Sequence, residues 1–229
     1  MKNKFNGVFI KSELDPKTVK ENIEAVLNSF SNALLKLDPE LTTKYLYWLN
    51  TLASDYLPKE KTFDPLSLIK YERGNIIEVD LGFKVGSEQG GFHYAVIMDC
   101  DNKKSSPVVM VVPLKSLSDG ESIDEKIEVL IDENIFELEK LKFQENIDKI
   151  NKELLKEESD IARLEKNKKF YEKEINKFSK KSVAQPSQMC ALSKIRILFP
   201  TKASDKLYGL KLPEKHMKKI EEKLLELFF

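Results

Sequence analysis

The chain has 229 residues, enough for one substantial core or two modest ones. It balances 38 basic against 38 acidic residues, so no global positive field announces a nucleic-acid partner, and any RNA contact must use a local patch. Neither a secretory leader after Met1-Lys2-Asn3-Lys4-Phe5 nor an apolar stretch of about 18 residues is present, which argues against export and a membrane span and for the cytoplasm. Cys100 and Cys190 lie in or beside apolar runs without metal-ligand spacing, and read as buried free thiols in a reducing compartment.

In chain order, residues 16–57 read as two helices. Val19, Ile23, Val26, Leu27, Phe30, Leu34 and Leu35 recur at steps of three and four behind an Asp15-Pro16 start. After a break at Asp38-Pro39, Leu41, Tyr45, Trp48, Leu49, Leu52 and Tyr56 build a second apolar stripe, which makes Trp48 a core residue rather than a base-stacking platform. The two should pair as a hairpin. Pro58 and a polar stretch then lead to a strand-rich part.

Here Ile76–Leu81 and Ala95–Met98 read as short strands, because β-branched residues dominate and charged residues bound them. Val85-Gly86-Ser87-Glu88-Gln89-Gly90-Gly91-Phe92-His93-Tyr94 lies between them. Its glycines let the backbone approach a ligand, and His93 can exchange a proton near neutral pH. The plainer alternative is a wide hairpin whose glycines serve turn geometry. Val108–Ser116 and Ile127–Ile131 read as two further strands.

From Asp132 to Lys181 there is neither Gly nor Pro, and Ile147, Ile150, Leu154, Ile161, Leu164, Tyr171, Ile175 and Phe178 follow nearly five heptads if Glu157 and Lys168 fill the seam. One continuous helix would reach about 70 Å at 1.5 Å per residue. It must pair with a second copy, fold back, or lie on the N-terminal hairpin. Strand character returns from Val183 to Ile197, and Pro213–Phe229 forms an amphipathic helix with Met217, Ile220, Leu224, Leu225 and Phe228 on one face. His216, among Lys215, Lys218 and Lys219, reads as a solvated residue.

The run Arg73-Gly74-Asn75-Ile76-Ile77-Glu78-Val79-Asp80, then Val85-Gly86-Ser87-Glu88-Gln89-Gly90-Gly91, resembles the opening of the PemK/MazF family of bacterial toxins. The likeness continues through Ala95–Met98 and Val108–Ser116, and returns at Ser182–Met189 and Ser193–Ile197. It covers roughly residues 70–132 and 181–228. It implies an α+β fold: an SH3-like β-barrel divided into residues 69–132 and 182–229. To this the chain adds an N-terminal helical extension (1–68) and a helical insertion (133–181) as a long helix or coiled coil.

The resemblance also implies a toxin of a type II toxin–antitoxin pair, a metal-independent endoribonuclease cutting single-stranded RNA by attack of the 2′-hydroxyl on the adjacent phosphate. The partners it implies are single-stranded RNA, a cognate antitoxin whose complex with the toxin binds DNA, and a second copy in a homodimer. No cofactor is expected, since the sequence has no metal-ligand cluster, P-loop or dinucleotide-binding glycine run. The family's usual pair is an arginine after the Gly-rich loop and a threonine ending the third strand. His93 stands at the first position, and Lys115, or Ser116 with a one-residue slip, at the second. The expected catalytic set is thus His93 as base or acid, Lys115 as phosphate clamp and Ser116 as oxyanion donor. Arg73, Glu88, Gln89, Gln188 and Arg196 are expected RNA contacts, with packing or loop shaping as the alternative for Gln89 and Gln188. The competing reading is a catalytically silent RNA- or protein-binding module on the same barrel. A third reading makes the N-terminal hairpin a built-in inhibitor or a dock for the antitoxin.

Overall fold

The computed structural model describes residues 16–118, 120–131, 134–154 and 160–229. The chain divides into two units, Met1–Ser54 and Asp55–Phe229.

The first unit holds helices α1 (Pro16–Leu34) and α2 (Pro39–Thr51). The break between them falls where the sequence puts it. The Asp38 side chain accepts a bond from the Leu41 N–H at 2.9 Å and caps α2, with Pro39 in the first turn where its missing N–H costs nothing. Phe30 and Tyr45 meet edge to face at 6.1 Å, and the Thr42 hydroxyl donates to the Leu34 carbonyl, so the helices pair. The Asp15 start lies outside the described residues. The stripe is less buried than its periodicity suggests: Ile23 and Leu27 stay exposed, and no residue of α2 is buried. Trp48 is therefore half-buried, not a core residue.

The second unit is built on seven antiparallel strands: β1 (Ile76–Asp80), β2 (Phe92–Ile97), β3 (Val108–Ser116), β4 (Val129–Ile131), β5 (Ser182–Ala184), β6 (Cys190–Ser193) and β7 (Ile197–Phe199). The path runs β4-β5-β3-β2-β1-β7, with β6 also on β3. One edge of β3 carries β2. The other is shared, with Leu114 to Ser116 on β5 and Val108 to Val111 on β6. The sheet is not closed: β4 and β7 end the path, so a closed barrel is not what the ladders form.

Residues alternate between two cores, as the period of a strand requires. Ile77, Val79, Ala95, Ile97, Val109 and Val111 bury one face against Tyr71, Leu192 and Ile197. Ile76, Val96, Val112 and Leu114 bury the other beneath the insertion and the last helix, α5 (Glu214–Phe228).

The insertion contains α3 (Glu137–Glu153) and α4 (Ile161–Phe178), packed side by side through Phe143 against Phe170 and Tyr171, and through Lys168 against Asn151. Of the arrangements the heptads allow, the chain folds back on itself; the seam position Glu157 lies outside the described residues. Periodicity could not decide this, because two antiparallel helices bury the same positions as one long seam. Phe136 stacks on Phe178 at 4.7 Å and touches Tyr94 of β2 at 4.8 Å, pinning the insertion to the sheet. Lys206 adds an ionic tie, reaching Glu78 of β1 at 2.5 Å and Glu174 of α4 at 2.6 Å.

Two further expectations are corrected. His216 is fully buried beside Met217 and Ile220, because these three share the sheet-facing side of α5 while Lys218 and Lys219 take the outer side. At the other end of α5, Leu225 and Phe228 are exposed. Cys100 is exposed and Cys190 half-buried; both are free, and Cys100 falls in the turn after β2 rather than in its apolar body. Among the described residues no helix is long and apolar enough to cross a membrane, and no cluster of His, Cys, Asp or Glu has metal-binding geometry.

Candidate functional site

The antiparallel ladders bring the end of β1, the start of β2 and the end of β3 to one rim of the sheet. Asp80 pairs with Phe92, Val79 with His93, and Tyr94 with Leu114. The last pairing sets His93 beside Lys115 by continued register, both on the face opposite Tyr94 and Leu114. His93 is thus a strand residue, whereas the sequence places it within the loop; β2 starts at Phe92, before the β-branched run, because Asp80 is still paired there.

The loop between β1 and β2 is closed at its base. Leu81 N–H donates to Gly91 O at 2.8 Å, and Gly91 N–H to Gly82 O at 2.7 Å. Gly90 packs so tightly that a Cβ there would lie 2.8 Å from Gly82 O, which no side chain tolerates. Asp80, almost fully buried, takes the Gly82 N–H on one oxygen at 2.7 Å and the Tyr56 hydroxyl on the other at 2.6 Å.

Within this frame His93 is held from both sides. Its Nδ1 lies 3.2 Å from the Leu114 carbonyl, which can only accept, so Nδ1 carries a proton. Its Nε2 lies 2.6 Å from the Gln89 side-chain nitrogen, which also approaches Nδ1 at 3.3 Å. With the Gln89 amide donating, Nε2 is the acceptor and the ring is neutral. With the amide turned over, its oxygen accepts from Nε2–H and the ring is the imidazolium. Either orientation of the Gln89 amide thus leaves Nε2 with a hydrogen-bond partner.

Gln188 completes the chain of contacts. It sits on a 3-10 turn, Pro186–Gln188, between β5 and β6. Its oxygen accepts the Gln89 N–H at 3.0 Å, and its nitrogen donates to Ser87 O at 3.2 Å. Both ends of its amide are thus bonded to the β1–β2 loop.

Lys115 has a different setting. Its ammonium pairs with Glu128 at 2.9 Å and Glu121 at 3.0 Å. The bonds to Glu128 and Glu121 raise its pKa, and those from Lys115 lower that of Glu121. The cation is fixed, and its charge is already answered. Ser116 is exposed at the end of β3, opposite Ser182. Glu88 is exposed in the loop. Arg196 precedes β7, whose Ile197 pairs with Val79, so it stands beside Asp80 on the same rim.

Arg73 does not join this group. It precedes β1, donates to Met98 O at 2.6 Å and forms an ion pair with Glu221 of α5, at the far end of the strand. Four residues at or beside the rim escaped the sequence reading: Tyr56, Asp80, Glu121 and Glu128. Asp80 carries a signal, a carboxylate that ends an apolar strand two residues before a glycine. Tyr56 and the two glutamates carry none, because only the fold brings them there.

A family model described as PemK-like, MazF-like toxin of type II toxin–antitoxin system matches residues 72–157. The match takes in β1 to β4 and runs into the insertion, and it does not include the second segment in which the sequence shows the likeness. No curated protein matches the chain.

Proposed function

We infer, from the membership of this chain in the PemK/MazF-like toxin family over residues 72–157, that it is the toxin of a type II toxin–antitoxin pair and cleaves single-stranded RNA. The observation that supports this most is the convergence of His93, Gln89, Gln188, Lys115, Ser116 and Arg196 on one rim of the sheet, with the His93 ring at its centre.

In this reading RNA enters over the β1–β2 loop and its 2′-hydroxyl displaces the Gln89 amide from His93 Nε2. The neutral ring takes the 2′ proton as the 2′-oxygen bonds to phosphorus. The bond to the 5′-oxygen breaks, and a proton returns to that oxygen, leaving a 2′,3′-cyclic phosphate and a free 5′-hydroxyl. The Leu114 carbonyl, fixed on Nδ1–H, stabilises the imidazolium formed between the two transfers. Negative charge on the phosphorane needs cationic or hydroxyl donors. Arg196 and the Ser116 hydroxyl supply them directly, and Lys115 does so once Glu121 swings away. Glu88 and Gln89 line the RNA path. The antitoxin is an acidic segment covering the same rim, and two copies of the chain form the active dimer, in the cytoplasm.

The second reading is a silent RNA- or protein-binding module. The double carboxylate cover on Lys115 favours it, because a clamp with its charge already neutralised attracts phosphate poorly. One experiment separates the two: incubation of purified protein with a long single-stranded RNA in EDTA, beside His93→Ala. Cuts ending in cyclic phosphate that vanish in the variant establish the enzyme. Absence of cleavage by folded, antitoxin-free protein leaves the binding module.

A further inference from the structure

Extending the β1–β7 register by one residue sets Arg196 opposite the buried Asp80, whose carboxylate has other partners. Both Asp80 oxygens are taken, one by the Gly82 N–H at 2.7 Å and one by the Tyr56 hydroxyl at 2.6 Å. Among the described residues no carboxylate forms an ion pair with Arg196, although its charge reaches the Tyr56 phenol. Asp55 is also within electrostatic reach of that phenol, and has an interaction of its own. A buried carboxylate next to a guanidinium would ordinarily bind it in a two-pronged, charge-assisted pair.

We propose that Tyr56 is a positioning residue, which occupies Asp80 and so keeps the Arg196 guanidinium open for a phosphate of single-stranded RNA. The proposal rests on the RNA-binding part of the reading above and adds a residue outside the family-matched segment to the same site. Burial first, and the bond to Asp80 second, push the Tyr56 phenol well above its ordinary pKa, so the hydroxyl remains a donor at any working pH. The same carboxylate ties down Gly82 at the root of the β1–β2 loop. Tyr56 thus acts twice through Asp80: it withholds a competitor from Arg196 and keeps the loop base formed.

The test is binding of a fluorescent 2′-O-methyl oligoribonucleotide, which has the phosphates but lacks the nucleophile, followed by anisotropy over a range of salt concentrations. Tyr56→Phe should free one Asp80 oxygen to capture Arg196. Affinity should then fall on the order of ten-fold at low salt, and the dependence of log affinity on log salt should become shallower by about 0.7, the value of one phosphate contact on a single strand. Arg196→Gln should show the same loss, and adding it to Tyr56→Phe should cost nothing more. Adding Asp80→Asn to Tyr56→Phe should restore affinity and slope, because an amide cannot hold the guanidinium as an ion. A Tyr56→Phe variant that merely unfolds would not be rescued by a second substitution in the same buried group.

Wild-type affinity and slope in Tyr56→Phe, or no recovery in the double variant, would overturn the proposal while leaving the ribonuclease reading standing. An absence of salt-dependent binding by the wild-type chain would overturn both.

Discussion

The His93 Nε2 and the Gln89 side-chain nitrogen are 2.6 Å apart, and that contact makes the ring answer to a neighbour four residues back in the chain. Gln89 is in turn held by Gln188 through its backbone N–H, so the ring, the loop and the turn before β6 form one hydrogen-bonded series. Gln89→Leu should remove the partner of Nε2 without emptying the space. If the chain is the ribonuclease proposed above, kcat should fall about ten-fold to a hundred-fold, with a displaced pH–rate profile and little change in KM. A simple loss of fold would lower the amount of active enzyme without moving the profile.

The cover on Lys115 leads to a second expectation. Glu121→Gln removes the exposed member of the pair, and should tighten RNA binding and steepen its salt dependence. Lys115→Met leaves the buried Glu128 carboxylate without its cation and should cost about 1 kcal/mol of stability, since solvent still reaches the pair. Urea melts read the second effect and anisotropy the first; an unchanged affinity in Glu121→Gln would remove Lys115 from the RNA path.

Gly90→Ala tests the loop base. The added methyl meets the Gly82 carbonyl at 2.8 Å, and neither group can move without breaking the Gly82–Gly91 bond. We expect a loss of about 1–3 kcal/mol, with faster exchange of the Gly91 amide. A melt indistinguishable from wild type would mean that the loop base is looser than its hydrogen bonds suggest.

Phe178 is fully buried between Phe136, Phe143 and Tyr94. Phe178→Ala should cost about 3–5 kcal/mol and release the insertion from the sheet, seen as protease cleavage in α3 or α4 before the strands are attacked. Simultaneous loss of helices and strands would show instead that the insertion is inseparable from the core.

Dependence on pH should appear at both ends. Asp205 accepts the Thr201 N–H and hydroxyl and the Lys202 N–H; these bonds outweigh burial and hold its carboxyl below its ordinary value, as Lys115 does for Glu121. A lowered folded pKa gives stability that is present above about pH 4 and is lost as pH falls further. Lys115 and the phenols of Tyr56, Tyr71 and Tyr94 are raised, so their share is present below about pH 10 and is lost above it. Urea midpoints measured across pH should form a plateau between these limits, and Asp205→Asn should flatten the acid limb.

Much of this architecture is legible in the chain itself. The strands announce themselves through β-branched runs, and Asp38-Pro39 carries its own cap chemistry. The rim was legible in part: His93, Gln89 and Gln188 each lie in a segment with strong local character, while the hydrogen bonds that join them come only with the fold. Arg73 was misplaced because being near a matched segment in sequence does not tell which end of a strand a residue occupies. The burial of His216 was missed because a helix face is set by what it packs on, and the lysines around it mask the apolar side. The reversal between α3 and α4 was beyond periodicity. So was the pairing of Lys115 with Glu128, since the irregular segment between β3 and β4 leaves no sequence mark of where it brings its carboxylates.

The ladder partnership of Ile131 with Ser182 means that the insertion leaves and re-enters the sheet at a single rung. A chain that departs and returns at one point can grow, shrink or be exchanged across generations without altering any strand register, since the entropic cost of a longer detour rises only with the logarithm of its length. The strand registers around His93 are thereby indifferent to the length of that excursion so long as Phe136 and Phe178 keep their seats on Tyr94, which leaves its outer surface as the place where descendants of this protein can acquire new contacts.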